Sequence, residues 1–328
     1  MKQRVLITGA SGFVGYHLIE EALHHDLEVY AAIRKSSQTD HLKHLDINYV
    51  YLDYKNPVVL KQQLTDINAD YIIHAAGVTS ARSQAEYNYI NATHTYNLAS
   101  IAAKIGGNLK KFVLIGSLAA VGPLKTLTGI ITEATPPQPV TAYGRSKLLA
   151  EEQLRTVKNL NYTILRPTAV YGPRDTGIFI FFKQIVKGIE PYIGKAPQKL
   201  SFIYVEDVAK AAIKALYGGD YETFNLSDGN FYGKYELGDI AKEVLNLKTL
   251  KFHLPVNFVK IIAVVSEKVS YLRNKAAVVN IEKIDELMAV NWSCDNEKAK
   301  LQLGFYPKYN LQSGLAETLT WYKANKWL

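Results

Sequence analysis

The sequence predicts an α/β protein: a Rossmann-type, doubly wound parallel sheet with a smaller, mainly helical lobe after it. Three observations predict this. A glycine triplet follows the first strand, short β-rich runs alternate with helical patterns through the first half, and polar or small residues recur at the carboxyl ends of successive strands. Alternation of strand and helix argues for a parallel sheet covered on both faces. In such a sheet the ligand crevice lies at the carboxyl edge of the strands.

The elements follow in order. Arg4 to Thr8 is a short apolar strand, Gly9, Gly12 and Gly15 come at three-residue spacing, and an amphipathic helix starts near Phe13. This unit suits a dinucleotide pyrophosphate. One glycine makes the tight turn, one lets backbone approach phosphate, and one packs helix on strand. Ser11, Phe13 and Val14 lie in the same turn, where a helix N-terminus offers N–H groups and a positive dipole end. An ordinary βα turn would read the same, so the assignment depends on the strand ends that follow.

Leu27 to Ile33 is the second strand, with Arg34-Lys35-Ser36-Ser37 at its end. Asn48 to Leu52 is the third, running into Asp53 and Tyr54. Asp70 to His74 is the fourth, leading into Ala75-Ala76-Gly77. A helical pattern covers roughly 81–104. Lys111 to Ile115 is the fifth strand, with Gly116-Ser117 at its end. A Pro-, Thr- and Gly-rich loop fills 121–141, a helix carrying Tyr143 and Lys147 begins near Ala142, and Tyr162 to Leu165 is the sixth strand, closed by Arg166-Pro167. Residues 1–175 form the dinucleotide-binding domain and 176–328 the substrate lobe. The segment near 200–226 returns to the sheet through Thr223 to Leu226. The remaining lobe is helical, over about 179–187, 207–217, 235–245, 255–272, 281–288 and 311–326. The apolar face of the helix 256–272 is read as core or pocket packing, with membrane contact as the alternative.

Composition narrows the function classes. The 328 residues are 48% hydrophobic and 21% charged, as in soluble globular proteins. Met1 to Arg4 run straight into a strand, unlike a secretory leader, and no stretch is long and apolar enough to span a bilayer. The single Cys294 excludes an intramolecular disulfide and fits a reducing, cytoplasmic setting. The net charge of +8 is scattered, without a nucleic-acid-binding motif, so it suits a polyanionic cofactor. No metal-ligand pattern is found.

Tyr143 and Lys147 are four apart on a helix and share a face. A free tyrosine titrates near 10, and a nearby ammonium favours the phenolate. Such a tyrosine can give a proton to a carbonyl oxygen as hydride arrives, and Ser117, at a neighbouring strand end, can hold the same oxygen.

Taken together, Thr8-Gly9-x-x-Gly12-x-x-Gly15, Asp53, His74-Ala75-Ala76-Gly77, Ser117, Tyr143-x-x-x-Lys147 and Arg166-Pro167-x-x-x-Tyr171-Gly172-Pro173 resemble the extended short-chain dehydrogenase/reductase family, which includes the NAD-dependent epimerases and dehydratases. Phe202 to Ala209 and the ending from Leu303 to Tyr322 extend the resemblance over nearly the whole chain. It implies a bound nicotinamide dinucleotide and catalysis by Ser117, Tyr143 and Lys147. It further implies that Lys147 bonds the nicotinamide ribose, that Asp53 contacts the adenine, and that Ala75, Ala76, Gly77 and Pro167 line the cofactor. A homodimer through the helices near 81–104 and 143–157 is also implied.

Where NAD-preferring members carry an acidic residue after the second strand, this chain has Ile33, followed by Arg34, Lys35 and Ser36. Arg and Lys attract a 2′-phosphate, so NADP(H) is expected, with NAD as the alternative. Dehydratase members carry an Asp-Glu pair after the strand-five residue; here Ser117 precedes Leu118-Ala119-Ala120, which argues against elimination. Ala120-Val121-Gly122-Pro123, Tyr30 to Arg34, Trp292-x-Cys294-Asp295 and Leu303-Gly-Phe305-x-Pro307 look closer to the hydroxysteroid dehydrogenases and the dihydroflavonol or aldehyde reductases. The leading expectation is thus an NADP(H)-dependent oxidoreductase interconverting a carbonyl and an alcohol on a small, possibly ring-containing substrate. A nucleotide-sugar 4-epimerase and a non-catalytic dinucleotide-binding regulator are the alternatives. Thr79, Tyr171 and Arg174 are expected to border the substrate. His94 stands where the family usually has Gly, and is expected to be structural.

Overall fold

The computed structural model describes residues 2–105, 107–272 and 280–328. Its centre is a seven-stranded, wholly parallel sheet in the order β3-β2-β1-β4-β5-β6-β11. The strands are β1 (Arg4–Thr8), β2 (Glu28–Ala32), β3 (Asn48–Val50), β4 (Tyr71–His74), β5 (Lys111–Ile115), β6 (Tyr162–Pro167) and, after four short strands outside this sheet, β11 (Glu222–Leu226). The order reverses between β1 and β4, and ligand crevices open at such a point. β1, β4, β5 and β6 are buried along almost their whole length, as expected of strands covered on both faces.

One face carries α1 (Phe13–His24) and α7 (Val205–Ala215), packed side by side. Between them and the sheet lie Val5, Ile7, Leu18, Ile19, Val208, Ala212 and Phe224, all essentially inaccessible. The other face carries α2 (Pro57–Ile67), α4 (His94–Ala102) and α5 (Ala142–Arg155) over Leu6, Ile72, Phe112, Leu114 and Ile164. Each such side chain contributes about 1.5–3 kcal/mol on burial. The expected long helix over 81–104 is divided: α3 (Gln84–Asn88), a π-turn at Tyr89–Thr93, then α4. Pro57 at the first turn and Asn56 capping Val58 and Val59 start α2, which the sequence reading left unassigned.

The rest of the chain builds on the carboxyl edge of the sheet. β7 (Ala169–Tyr171) pairs with β10 (Phe202–Tyr204), β8 (Ile189–Ile193) with β13 (Leu250–Leu254), and β9 (Lys199–Leu200) with β12 (Tyr232–Gly233). Around them stand α6 (Phe179–Val186), α8 (Glu236–Leu245) and α12 (Leu311–Ala324), closing a second, aromatic core of Tyr171, Phe182, Phe202, Tyr204 and Tyr322. α11 (Glu297–Leu303) returns to the sheet beside β11. α9 (Val256–Leu272) and α10 (Ile281–Met288) pair through a small third core of Val259, Ala263 and Ile284. Among the described residues no helix is long and apolar enough to cross a membrane.

Candidate active site

The site begins at the turn after β1. Gly9 has φ +68°, and a Cβ there would sit 2.7 Å from the Ala75 carbonyl oxygen. At Gly15 a Cβ would lie 2.1 Å from the Gly9 carbonyl oxygen, so no side chain fits between helix and strand. Gly12 is different. It is exposed, and a Cβ would meet only Gly9 O, at 3.2 Å. Sterically the protein itself asks little of it; the demand comes from whatever lies outside. α1 starts at Gly12 without a side-chain cap and without an acidic residue in its first turn. Its first N–H groups are therefore open to an anion. This turn fits a dinucleotide diphosphate.

Beside it lies a buried relay. The Ala76 N–H donates to Thr8 Oγ1 (3.1 Å), which is 2.7 Å from His74 Nδ1; His74 Nε2 is 2.9 Å from Thr95 Oγ1, whose hydroxyl donates to the Asn91 carbonyl (2.7 Å). With the Thr95 proton directed to Asn91, His74 is the neutral Nε2–H tautomer. Burial, helped by the charge of Lys147, pushes its pKa down to about 3. The relay fixes the backbone from Ala75 to Gly77, the expected cofactor-lining segment. The Tyr54 ring stacks on His94 at 4.9 Å, and its hydroxyl lies near Thr8. His94 thus fills the space that a glycine would leave with a ring that supports Tyr54.

Ser117 follows β5 and accepts the Ala119 N–H at 3.1 Å, opening a single 3-10 turn. α5 starts at Thr141, whose hydroxyl accepts the Gly144 N–H at 3.0 Å. Gly144 lets α5 rest directly on that turn, since a Cβ would lie 2.4 Å from the Ala119 carbonyl oxygen. The close approach brings the Ser117 hydroxyl beside the Tyr143 phenol. One turn along, Lys147 Nζ donates to the Ile115 carbonyl at 2.8 Å and lies 3.8 Å from where a Gly77 Cβ would be. Ser117, Tyr143 and Lys147 therefore meet at the ends of β4 and β5, beside the glycine turn.

The electrostatics differ from the simple expectation. Burial raises Tyr143 to about 12, against the lowering effect of Ser117. Burial lowers Lys147 to about 8, against the attraction of Glu151. The ammonium is held on a backbone carbonyl and does not depress the phenol, so Tyr143 stands as a protonated donor at neutral pH.

Two groups that the sequence reading passed over complete the surroundings. Asn91, in the π-turn, accepts the Val78 N–H (2.8 Å) and donates to Val78 O (3.0 Å) and Ser146 Oγ (2.9 Å), tying the end of β4 to α5. Its only sequence signal is a position inside a helical pattern. α10 closes the other side: Glu282 accepts the Ala142 N–H at 2.5 Å and pairs with Arg145 at 2.5 Å, and Glu286 is close enough to raise Tyr143 further. No local pattern marks a contact across about 140 residues.

Other expected positions fall as follows. Ser11, Phe13 and Val14 are part-exposed in the glycine turn, and Pro167 closes β6 in a buried position. Arg34, Lys35 and Ser36 are exposed after β2, with the Arg34 backbone N–H bonded to Ser37. Asp53 is exposed and accepts the backbone N–H groups of Lys55 and Asn56. Thr79 is exposed at the rim, its carbonyl accepting the Tyr87 hydroxyl at 3.2 Å. Tyr171 and Arg174, the other expected substrate contacts, are engaged within the fold. Tyr171 is 0% exposed and donates to Asn310 O at 3.1 Å in the aromatic core, because its strand faces α12. Arg174, at φ +73°, lies over the ring of Tyr16 (4.0 Å) and near that of Trp321 (5.3 Å), bracing α1 against α12.

A doubly wound parallel sheet with an uncapped glycine turn and a Ser-Tyr-Lys cluster at its carboxyl edge defines the extended short-chain dehydrogenase/reductase class. The chain belongs to the NAD dependent epimerase/dehydratase family, whose model matches residues 5–227. It is 26% identical to a ceramide reductase of Caulobacter vibrioides over 99% of this chain and 96% of that one. It is 27% identical to the N-acetyl-alpha-D-glucosaminyl-diphospho-ditrans,octacis-undecaprenol 4-epimerase of Escherichia coli O157:H7, covering 97% and 95%. Its fold is that of a UDP-glucose 4-epimerase from Thermotoga maritima, with TM-score 0.81, 22% identity and coverage of 99% and 100%.

Proposed function

We propose that the protein is an NADP(H)-dependent oxidoreductase that interconverts a carbonyl and an alcohol on an apolar, lipid-borne substrate. The observation that carries this reading is the meeting of Ser117, Tyr143 and Lys147 beside the glycine turn, with no acidic residue following Ser117. The nicotinamide cofactor, when bound, supplies or accepts hydride. Tyr143 gives its phenolic proton to the substrate oxygen, and Ser117 holds that oxygen in line. A phenol raised to about 12 suits the reducing direction, where the tyrosine enters the reaction as an acid. Lys147, seated on Ile115 O, would hold the nicotinamide ribose. Arg34 and Lys35, exposed and without a carboxylate at position 33, support the 2′-phosphate form. Two relatives named for a ceramide and for a polyprenol-linked sugar support a lipid-borne substrate. The name of the polyprenol-linked-sugar relative, with that of the UDP-glucose epimerase, supports a second reading: a 4-epimerase, in which hydride leaves and returns within one turnover.

Assays with NADPH and NADH on long-chain carbonyl compounds, alongside UDP-glucose without added coenzyme, separate the readings. The first predicts stoichiometric loss of NADPH. Turnover of the sugar nucleotide with no net coenzyme change would replace it by the second. We also read the protein as a cytoplasmic homodimer joined through α4 and α5, where Tyr96 is 42% exposed. Sedimentation at micromolar concentration tests the assembly: a mass of one chain contradicts it.

A further inference from the structure

We propose that Glu151, locked by Arg166, is a positioning residue for the site: it seats α5 on the backbone that leads to Ser117 and keeps the Lys147 ammonium in place and charged. The proposal rests on the reading of Ser117, Tyr143 and Lys147 as the catalytic set. Glu151 lies one turn beyond Lys147 on the buried side of α5, so the two share a face of the helix. It is fully buried. A carboxylate at that depth is costly unless it is paired and hydrogen-bonded. Arg166 Nε donates to its two oxygens at 2.9 and 3.1 Å, and Arg166 Nη2 donates to one of them at 2.6 Å. Arg155, a turn further along α5, reaches it at 3.5 Å and donates to Thr223 Oγ1 at 2.8 Å.

What the pair grips is the peptide just before Ser117. Lys147 Nζ donates to the Ile115 carbonyl at 2.8 Å. At the next residue, a Cβ on Gly116 would stand 3.2 Å from Glu151 Oε1 and 2.9 Å from the Leu165 carbonyl oxygen, which accepts the Gly116 N–H at 2.7 Å. Lys147 and Glu151 thus flank the Ile115–Gly116 peptide from α5, and Leu165 and Arg166 close it from β6. The ion pair sets how closely α5 rests on the end of β5, and with it the approach of Tyr143 to Ser117. A buried ion pair that serves the fold alone can often be replaced by apolar groups of the same volume. Here the charge itself has a task. Burial presses Lys147 toward its neutral form, and the Glu151 carboxylate opposes it. The other titratable groups around Lys147 are Tyr143 on its own helix and His74 from β4, both uncharged at neutral pH. Arg166 of β6 stands behind Glu151, and Glu286 of α10 lies toward Tyr143. Among the described residues, Glu151 is therefore the anion that holds Lys147 as an ammonium.

The titration of Lys147 Nζ tests this without substrate or turnover. It is followed by NMR of isotope-labelled lysine and assigned by the signal that Lys147→Arg lacks. Glu151→Gln keeps the shape of the side chain and removes its charge. It should lower the pH at which Lys147 loses its proton by at least about one pH unit. The limb of kcat/KM for carbonyl reduction, expected at about 8 in the wild type, should move down with it. Glu152→Gln, exposed at the next position, should move neither. Glu151→Gln leaves the Arg166 guanidinium buried without an anion, so the double variant Glu151→Gln/Arg166→Gln, which removes both charges, is measured beside it. Its titration should move in the same direction but less far, because the repulsion of Arg166 is removed as well. An unmoved or raised Lys147 titration in a folded variant overturns the proposal and assigns the pair to the fold alone. Failure of both variants to fold overturns it in the same way. If the titration moves as stated while the wild type reduces no carbonyl compound, the proposal stands and the reading of the reaction fails. If reduction proceeds and the titration does not move, the reverse holds.

Discussion

Tyr143 and Lys147 carry the sharpest consequences, because their environments push them in opposite directions. Tyr143→Phe removes the proton donor and leaves the ring, so kcat should fall by about 10²–10⁴ while cofactor affinity holds; fluorescence titration with NADPH checks the second half. Burial pushes the Lys147 ammonium down to about 8. Its ammonium is present below that pH and lost above it, so kcat/KM for reduction should decline as pH rises through about 8. Lys147→Arg, which stays charged, should move that limb upward. His74 gives a stability signature of different sign. Its folded pKa, about 3, lies below the ordinary 6.5, so the unfolded chain binds more protons between those values. The stability it contributes is present above pH 6.5 and lost as pH falls, with a limiting slope of about 1.4 kcal/mol per pH unit. His74→Gln should flatten the drop in urea midpoint across that window. The Ser117, Tyr143 and Lys147 cluster was legible in the sequence because helical spacing and strand ends place those residues. The charge state of Tyr143 was not, because it follows from burial and from the Ile115 carbonyl that holds Lys147, neither of which a spacing reveals.

Among the elements, the glycine turn separates two kinds of constraint. Gly15→Ala places a methyl 2.1 Å from Gly9 O and should destabilise the fold. Gly12→Ala meets only a 3.2 Å contact; it should melt close to wild type yet bind the dinucleotide at least about tenfold more weakly. Comparing calorimetric melts with cofactor titrations distinguishes them. Farther along the sheet, Glu151 is 0% exposed and takes three hydrogen bonds from Arg166, at 2.6–3.1 Å. Arg166→Ala leaves that carboxylate buried without its main partner and should cost about 3–5 kcal/mol, read from urea melts. The strand–helix alternation through β6 and the return of β11 were visible as hydrophobic periodicity. The short pairs β7/β10, β8/β13 and β9/β12 were not fully so. Strands of two to five residues, paired across long loops, carry too little pattern, and the π-turn at Asn91 hides inside an ordinary helical period.

For the whole molecule, the sheet supplies a cofactor edge and the later chain supplies what faces it. Tyr171 and Arg174 show how the two halves are joined: they form part of the core and the brace between β7, α1 and α12. Sequence reasoning placed them by proximity to a motif, while the tertiary packing of the aromatic core decides where they point. The cap of α9 and α10 lies beyond local inference for the same reason, since Glu282 and Glu286 reach α5 only through the fold. The central claim is that Ser117, Tyr143 and Lys147 deliver a proton to a carbonyl as NADPH is consumed. Stopped-flow measurement of NADPH fluorescence with a long-chain ketone, for wild type and Tyr143→Phe in parallel, tests it most directly. One NADPH should be oxidised per alcohol formed, at a rate slowed by at least about a hundredfold in the variant. Undiminished reduction by Tyr143→Phe, or sugar-nucleotide turnover with no NADPH consumed, would contradict it.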